Sequence, residues 1–467
     1  MKREEKIMST FMTFIARTRK KATPIQLLVL AYFGLIVVTF FLLCLPIFRY
    51  PGVKISLLDT FFMAVSTISV TGLTTVPLHE IYNNYGVILL EFLFQIGGFG
   101  VTMLATVGMV ITGRKISLQH RQLIQVDMNQ PRLSGTVRLV YSVFGLMMAL
   151  QFIFGIVFSV YLYITDSLYD LKSAIFEGFY ISISAVTNAG FDVTGKSLMP
   201  FRHDYFFLLL VILLILVGGI GFPVLIEFRE WLLLKIKTRG KGKYRFSLFS
   251  KLAFFFAIIF FILGAVLIFL SEMNHSFTNM PWGEKVITSL FYSATTRNAG
   301  LQLDSLTGFR TTTLLLFSIL MFIGASPSSV GGGVRTTTIG ILMLYMVSFI
   351  RGRRNVNIFG RRINQDDIQK AVVVVNLSIM LCAVAILILS LTEKASLVSL
   401  VFEVASAFGT TGLSLGITSS LSLVGKIVII VLMFIGRVGM LYMLMLFVSK
   451  KEQDFNYKYP TEKVIIG

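Results

Sequence analysis

Four short segments of this chain end in a small residue, a glycine and then Leu or Phe. They are VSTISVTGL closing on Gly72-Leu73, ISAVTNAGF on Gly190-Phe191, SATTRNAGL on Gly300-Leu301, and ASAFGTTGL on Gly412-Leu413. The glycines stand 118, 110 and 112 residues apart, and six positions before each stands Ser66, Ser184, Ala294 or Ser406. Residues of this kind carry no acid, base or nucleophile, but they can present backbone carbonyls. Glycine takes a positive φ at little steric cost, so successive carbonyls can turn toward one axis. A ring of carbonyls from four such loops can replace the hydration shell of a permeating cation. The apolar stretch before each loop reads as a short helix whose C-terminus, the negative end of its dipole, points at the ion. Hydroxyls at Thr71, Thr187, Thr296 and Thr411 are placed to add ligands or brace the loops.

A second motif recurs with its first glycine 24–28 residues after each loop glycine: IGGFG at 96–100, VGGIG at 217–221, IGASP at 323–327 and IGRVG at 435–439. Small residues let membrane helices approach closely, so packing is the first reading of Gly97, Gly98, Gly218 and Gly219, with a hinge second. The third copy runs into GASPSSVGGG at 324–333. Pro327 removes a helix donor and three glycines follow, so a break is expected there. The break has two readings: a moving gate whose serines Ser326, Ser328 and Ser329 face a cavity, or a static interruption. Arg437 lies at mid-span, where an arginine costs about 2.5–3.5 kcal/mol on insertion scales. It reads either as a structural pair within the bundle or as a charge below the loops that obstructs cations, with Glu91 a candidate counter-charge.

These features need a frame, and the composition supplies it. The chain has 467 residues, 55% hydrophobic and 14% charged, against about 25% charged in ordinary soluble domains. Eight apolar stretches are long enough to cross about 30 Å of hydrocarbon, near 25–47, 86–112, 139–164, 205–228, 252–271, 313–350, 371–391 and 423–448. Each glycine loop falls between an odd-numbered span and the next, with a preceding segment too short to cross. The expected fold is therefore all-α: four helix–short helix–loop–helix units around a pseudo-four-fold axis. The net charge of +19 is an orientation signal. Of 42 Lys and Arg, 30 lie in 1–24, 113–138, 229–251, 351–370 and 449–467, nine on the opposite side, and Arg297, Arg335 and Arg437 at membrane depth. That bias puts both termini in the cytoplasm of a multi-pass plasma-membrane protein. Nucleic-acid binding has no separate support. The dense run KIKTRGKGKYR at 235–245 could contact anionic lipid or an acidic partner.

Other chemistries find little. Cys44 and Cys382 sit in apolar runs, and His79, His120, His203 and His275 have no ligand-like spacing. The N-terminal apolar run lacks the cleavage site of a signal peptide and is too long for one. GFDVTGKS at 190–197 matches a phosphate-loop pattern, but that motif follows a buried strand and opens a helix. Here it starts at a loop glycine and runs toward Pro200.

At the level of motifs the chain resembles the Trk/Ktr/HKT superfamily of potassium transporters over essentially its whole length, and within it the bacterial Ktr membrane subunit. QIGGFG at 95–100, FEVASAFGTTGLSLG at 402–416, LMFIGRVG at 432–439 and YPTEKVIIG at 459–467 carry the resemblance. Trk subunits typically have two additional N-terminal helices, whereas the first span here leads straight into the first loop. The resemblance implies potassium uptake through one pore per subunit of a homodimer, under a cytoplasmic nucleotide-binding (RCK-type) regulatory ring. No bound cofactor and no enzymatic activity are implied, with K+ as the transported ion and Na+ as an activator or coupled ion. Carried over by position, the selectivity filter comprises Val70, Thr71 and Gly72; Asn188, Ala189 and Gly190; Asn298, Ala299 and Gly300; and Thr410, Thr411 and Gly412. The gate falls on Ser326, Pro327, Ser328, Ser329, Gly331, Gly332 and Gly333 together with Arg437. Arg297 departs from the other loops and is expected to turn away from the axis toward an acid. The glycine content of SPSSVGGGV also exceeds the family pattern. The alternative is a secondary transporter for another cation or solute, using broken helices at the midplane.

Overall fold

A computed structural model describes residues 23–128, 133–165, 170–192 and 194–447, with Pro460 and Glu462. The basic N-terminal segment, most of the C-terminal tail with its YPTEKVIIG motif, and Val193 of the GFDVTGKS stretch lie outside the described residues. The first repeat comprises α1 (Pro24–Cys44), α2 (Leu57–Ser69), α3 (Asn84–Phe99) and α4 (Val101–Ile111). After α5 (Leu118–Asp127), the second comprises α6 (Thr136–Thr165), α7 (Leu171–Thr187), α8 (Tyr205–Gly219) and α9 (Phe222–Lys237). The third contains α10 (Leu248–Glu272), α11 (Trp282–Thr295), α12 (Thr311–Ile323) and α13 (Thr336–Ile350). A two-stranded ribbon, β1 (Asn357–Ile358) and β2 (Arg361–Arg362), leads to the fourth: α14 (Gln365–Thr392), α15 (Leu397–Gly409), α16 (Leu423–Val438) and α17 (Met440–Phe447).

The first helix of each repeat is long and apolar, and α1, α6, α10 and α14 each suffice to cross a membrane. The second spans differ from the expectation of single helices. Between α3 and α4 the axis turns by 101°, between α8 and α9 by 109°, and between α16 and α17 by 96°. The cause is the last glycine of each recurring motif: Gly100, Gly221 and Gly439 take φ of +89°, +102° and +98°, which ends the helix there. The first glycine of each motif does pack closely. A Cβ on Gly97, Gly218 or Gly436 would run into the carbonyl of Ile68, Val186 or Phe408, each four residues before a loop glycine. One motif therefore does two jobs, seating the second helix on the short helix and then turning the chain. The second helix of the third repeat is fully interrupted, with residues 324–335 separating α12 from α13.

Local chemistry fixes the short helices that aim at the axis. Ser56, Asp170 and Ser396 cap the N-termini of α2, α7 and α15 by accepting from Asp59, Ser173 and Ser399 backbone N–H groups. Arg49 satisfies the end of α1, its Nε and Nη2 donating to the Leu43 carbonyl at 2.9 and 2.6 Å. The first and fourth repeats share one buried apolar cluster, including Phe62, Phe94, Phe408 and Met433, and the second and third share another around Phe158, Phe207, Tyr292 and Phe317. A partly buried ion pair of 2.7 Å between Lys426 and Asp59 joins the fourth repeat to the first.

Candidate functional site

The short helices α2, α7 and α15 end in the same way. Val70, Asn188 and Thr410 adopt the left-handed conformation, with φ of 56°, 51° and 52°. For β-branched Val70 and Thr410 this conformation is unfavourable by about 1–3 kcal/mol. It is held by backbone bonds across the turn: Thr71 N–H donates to Ser66 O, Ala189 to Ser184 O and Thr411 to Ser406 O. The third loop is built otherwise. Thr296 stays right-handed, and the positive φ moves to Asn298 at 93°. That loop is also pinned sideways, because Asn298 Nδ2 donates to Gly409 O and to Thr410 Oγ1, the latter at 3.2 Å.

The four loop glycines close into a ring. A Cβ on Gly72 would lie 2.6 Å from Ala189 O, and one on Gly190 2.6 Å from Ala299 O. On Gly300 it would run into Thr411 O, and on Gly412 into Thr71 O. Each repeat thus touches the next in chain order and the fourth touches the first. All twelve residues 70–72, 188–190, 298–300 and 410–412 converge here, and all but Gly412 are fully buried. Among the described residues, none of their carbonyls accepts a non-helical backbone or side-chain hydrogen bond. Buried carbonyls are normally paired, so this ring is an exception, a set of buried oxygens with coordination capacity to spare.

The hydroxyls mostly brace. Thr187 and Thr296 bond back to the carbonyls of Ile183 and Tyr292 within their own helices. Thr71 pairs with Ser69 at 2.6 Å, while Thr411 Oγ1 is buried without a partner. Ser66 Oγ donates to Leu73 O and Ser406 Oγ accepts from Gly412 N–H. In the second repeat the corresponding support is Tyr180, whose hydroxyl donates to Phe191 O at 2.8 Å. In the third, where Ala294 has no hydroxyl, Thr295 donates to Leu301 O.

Directly beneath the ring runs the 324–333 loop. A Cβ on Gly331 would lie 2.6 Å from Asn298 Oδ1, and one on Gly332 2.5 Å from Thr410 Oγ1. Its unpaired backbone finds partners on the broken ends of the other repeats. Ser326 and Val330 N–H groups donate to Gly219 and Gly218 carbonyls, Phe222 N–H donates to Ser328 O at 2.7 Å, and Gly333 N–H donates to Gly436 O. The motif that bends the second helices therefore also supplies the acceptors that seat this loop. Its serines are engaged: Ser326 Oγ with Thr336, Ser329 Oγ to Ser326 O, and Ser328 Oγ to Met128 O. Pro327 is buried at its lower side, where Gly221 leaves no room for a Cβ against Pro327 O.

Arg437, 7% exposed, donates to Val330 O in the loop and to Gly97 O and Gly98 O in the first repeat. Glu91 is not its counter-charge. Glu91 sits part-way along α3 with Tyr180 as an electrostatic neighbour, while the acid facing Arg437 is Asp127 at the end of α5. Asp127 accepts from the Thr102 hydroxyl at the start of α4. Burial raises its carboxyl above the usual range, with Thr102 and the Arg437 charge pulling it back. Asp127, Arg335, Arg437, Tyr32 and Tyr442 line a cavity of about 50 Å³ below the loop. Asp127 is the one acid among the five basic residues of 113–138, and that isolation is the signal the sequence offers for it. Arg297 also differs from expectation. Its Nη1 donates to Ala257 O at 2.6 Å, and among the described residues no acid lies within ion-pair distance.

A family model described as TrkH, cation transport protein, matches residues 36–459. Ktr system potassium uptake protein D of Bacillus subtilis (strain 168) is 45% identical over 446 residues, covering 95% of this chain and 97% of that protein. Potassium/sodium uptake protein NtpJ of Enterococcus hirae is 33% identical over 457 residues, covering 97% and 99%. The crystal structure of the potassium transporter TrkH from Vibrio parahaemolyticus superposes with a TM-score of 0.70 at 19% identity, over 92% of this chain and 86% of that one, a likeness of fold. With a family match over most of its length and a relative this similar end to end, the chain belongs to the TrkH family of cation transport proteins.

Proposed function

We propose that this protein mediates potassium uptake across a bacterial plasma membrane, and that the ring of four glycine loops is its selectivity filter. The observation that carries this reading is the closed contact of Gly72, Gly190, Gly300 and Gly412 around carbonyls that no donor among the described residues engages. Carbonyl dipoles in such a ring substitute for hydration water, and four helix C-termini add negative potential. The printed activities of the relatives, potassium uptake and potassium/sodium uptake, agree with K+ as the ion carried. Na+ enters as an activator or a coupled ion.

The loop at 324–333 acts as the gate and Arg437 as its latch. A peptide segment crossing beneath the filter and a guanidinium fixed to its midpoint both oppose a cation leaving the ring. The basic loops place both termini in the cytoplasm. A homodimer with a cytoplasmic nucleotide-binding ring is the assembly in which the gate is regulated, in keeping with relatives named as parts of a Ktr system. Catalysis by this chain has no place in that scheme.

The test is purified protein in proteoliposomes with a potassium gradient. Rubidium should enter without ATP hydrolysis by this chain, and co-purification with a regulatory ring should make flux respond to ATP or ADP. Absence of cation flux under every gradient, with and without the ring, would defeat the proposal.

A further inference from the structure

Arg297 poses a problem that the transport reading leaves unsolved. It is a permanent cation with five N–H donors, 6% exposed, just behind the third glycine loop. Among the described residues its guanidinium makes one hydrogen bond, from Nη1 to Ala257 O, and its Nε is buried without a partner. Among the described residues no carboxylate pairs with it. Arg437, whose Nε is likewise unpartnered, nevertheless bonds three carbonyls through its two terminal nitrogens, where Arg297 bonds one. A desolvated, uncompensated charge is unfavourable by several kcal/mol, so the fold retains Arg297 against a standing cost.

The surroundings say what would compensate it. Arg297 closes the inner end of a crevice of about 380 Å³ between the second and third repeats, a volume within the range of small-molecule sites. The 109° turn between α8 and α9 opens this crevice on the outer surface of the bundle. Its walls are hydrocarbon: Leu213, Leu216, Phe228, Phe254, Ile258 and Phe261. Arg297 is the single charged residue among those that line it. Leu213, Phe228, Phe254 and Ile258 are exposed on the apolar flank, so the mouth faces lipid.

We propose that this crevice binds a long-chain fatty acid, its carboxylate on Arg297 and its chain along α8, α9 and α10. A soluble anion would gain nothing from the hydrocarbon walls. A neutral chain would leave the guanidinium as it is, and a phospholipid would have to bury its polar head. Only an amphiphile with a small anionic end meets both features. The ligand would abut the filter, because Asn298, the next residue, donates to Gly409 O and Thr410 Oγ1 across the third and fourth repeats.

The experiment uses the purified full-length protein in detergent and a palmitic acid analogue bearing a diazirine on its chain, with adducts located by peptide mass spectrometry. Adducts are expected on α8, α9 and α10, displaced by palmitate at a concentration at least about tenfold lower than methyl palmitate requires, the scale of one charge-assisted hydrogen bond. Arg297→Gln should reduce these adducts by a similar factor and leave labelling elsewhere unchanged. Ile258→Trp, which fills the crevice and keeps the charge, should also abolish them and covers the case of a poorly folding Arg297 variant. Equal displacement by acid and ester, or adducts that survive both substitutions, would mean a generic lipid surface and overturn the proposal. Absence of adducts, as when a second copy of the chain covers the crevice, would overturn it too. No arm depends on ion flux, so this inference and the transport reading fail separately.

Discussion

The Arg437 guanidinium donates to the carbonyl of Val330, the midpoint of the loop that crosses beneath the glycine ring, and in the same grip holds Gly97 and Gly98 of the first repeat. One side chain of the fourth repeat thus ties the third repeat to the first.

Replacing Arg437 with Ala leaves three buried acceptors without a donor, at about 1–3 kcal/mol each where no water reaches them. It also removes a cation from the path below the ring. Rubidium uptake into proteoliposomes should rise several-fold while the unfolding temperature falls. Arg437→Lys should lie between, because an ammonium lacks the planar fork that spans two carbonyls. Wild-type flux in a folded Arg437→Ala protein would remove the arginine from the gate.

Gly412 tests the ring. Its φ is +95°, and a Cβ there would strike Thr71 O and come within 3.1 Å of Gly72 Cα. Gly412→Ser must therefore displace one quarter of the glycine ring, on top of about 1–3 kcal/mol of backbone strain. Sodium should then compete with rubidium uptake far better than in the wild type. Gly145 in α6 has open space at its Cβ, so Gly145→Ala should leave selectivity unchanged and add about 0.5–1 kcal/mol of stability. Equal selectivity in both variants would place Gly412 outside the filter.

The placement of the loops was legible in the sequence because a glycine with small neighbours at a period near 110 residues has few structural explanations. Apolar length located the first helix of every repeat for the same reason, since crossing hydrocarbon dictates composition. The bends at Gly100, Gly221 and Gly439 were not legible. Hydropathy runs unbroken through them, and whether a glycine packs or breaks a helix depends on its backbone angle, which composition does not record. Arg297 and Glu91 were misjudged for a related reason. Charges at membrane depth suggest partners of opposite sign, yet Arg297 turns to the Ala257 carbonyl, and the acid facing Arg437 comes from α5, outside the apolar spans.

Asp127 allows its cap to be separated from its charge. Its carboxylate accepts from the Thr102 hydroxyl and also from the Thr102 backbone N–H in the first turn of α4, a capping role that Asn fills nearly as well and Ala does not. Asp127→Ala should lower stability by about 0.5–2 kcal/mol and Asp127→Asn by much less. Any flux change common to both variants then reports the charge that faces Arg437 and Arg335 across the cavity. Equal destabilisation by Asn and Ala in thermal unfolding would show that the cap contributes nothing.

The ends of the loop are already joined across a neck, so a deletion can close there, although it strips partners from Phe222 N–H, Gly218 O and Gly436 O. Val334 N–H donates to Phe322 O and Thr336 N–H to Ala325 O, at 3.1 Å each. The chain therefore returns to its starting point before α13 begins. Deleting 328–333 joins Pro327 to Val334 across this neck and removes Val330, the acceptor of Arg437. Rubidium uptake should rise, and adding Arg437→Ala to the deletion should raise it no further, since latch and gate act through one contact. If the two changes multiply, Arg437 obstructs cations by its charge alone. If the deletion folds and its flux matches the wild type, the segment beneath the ring is a static brace.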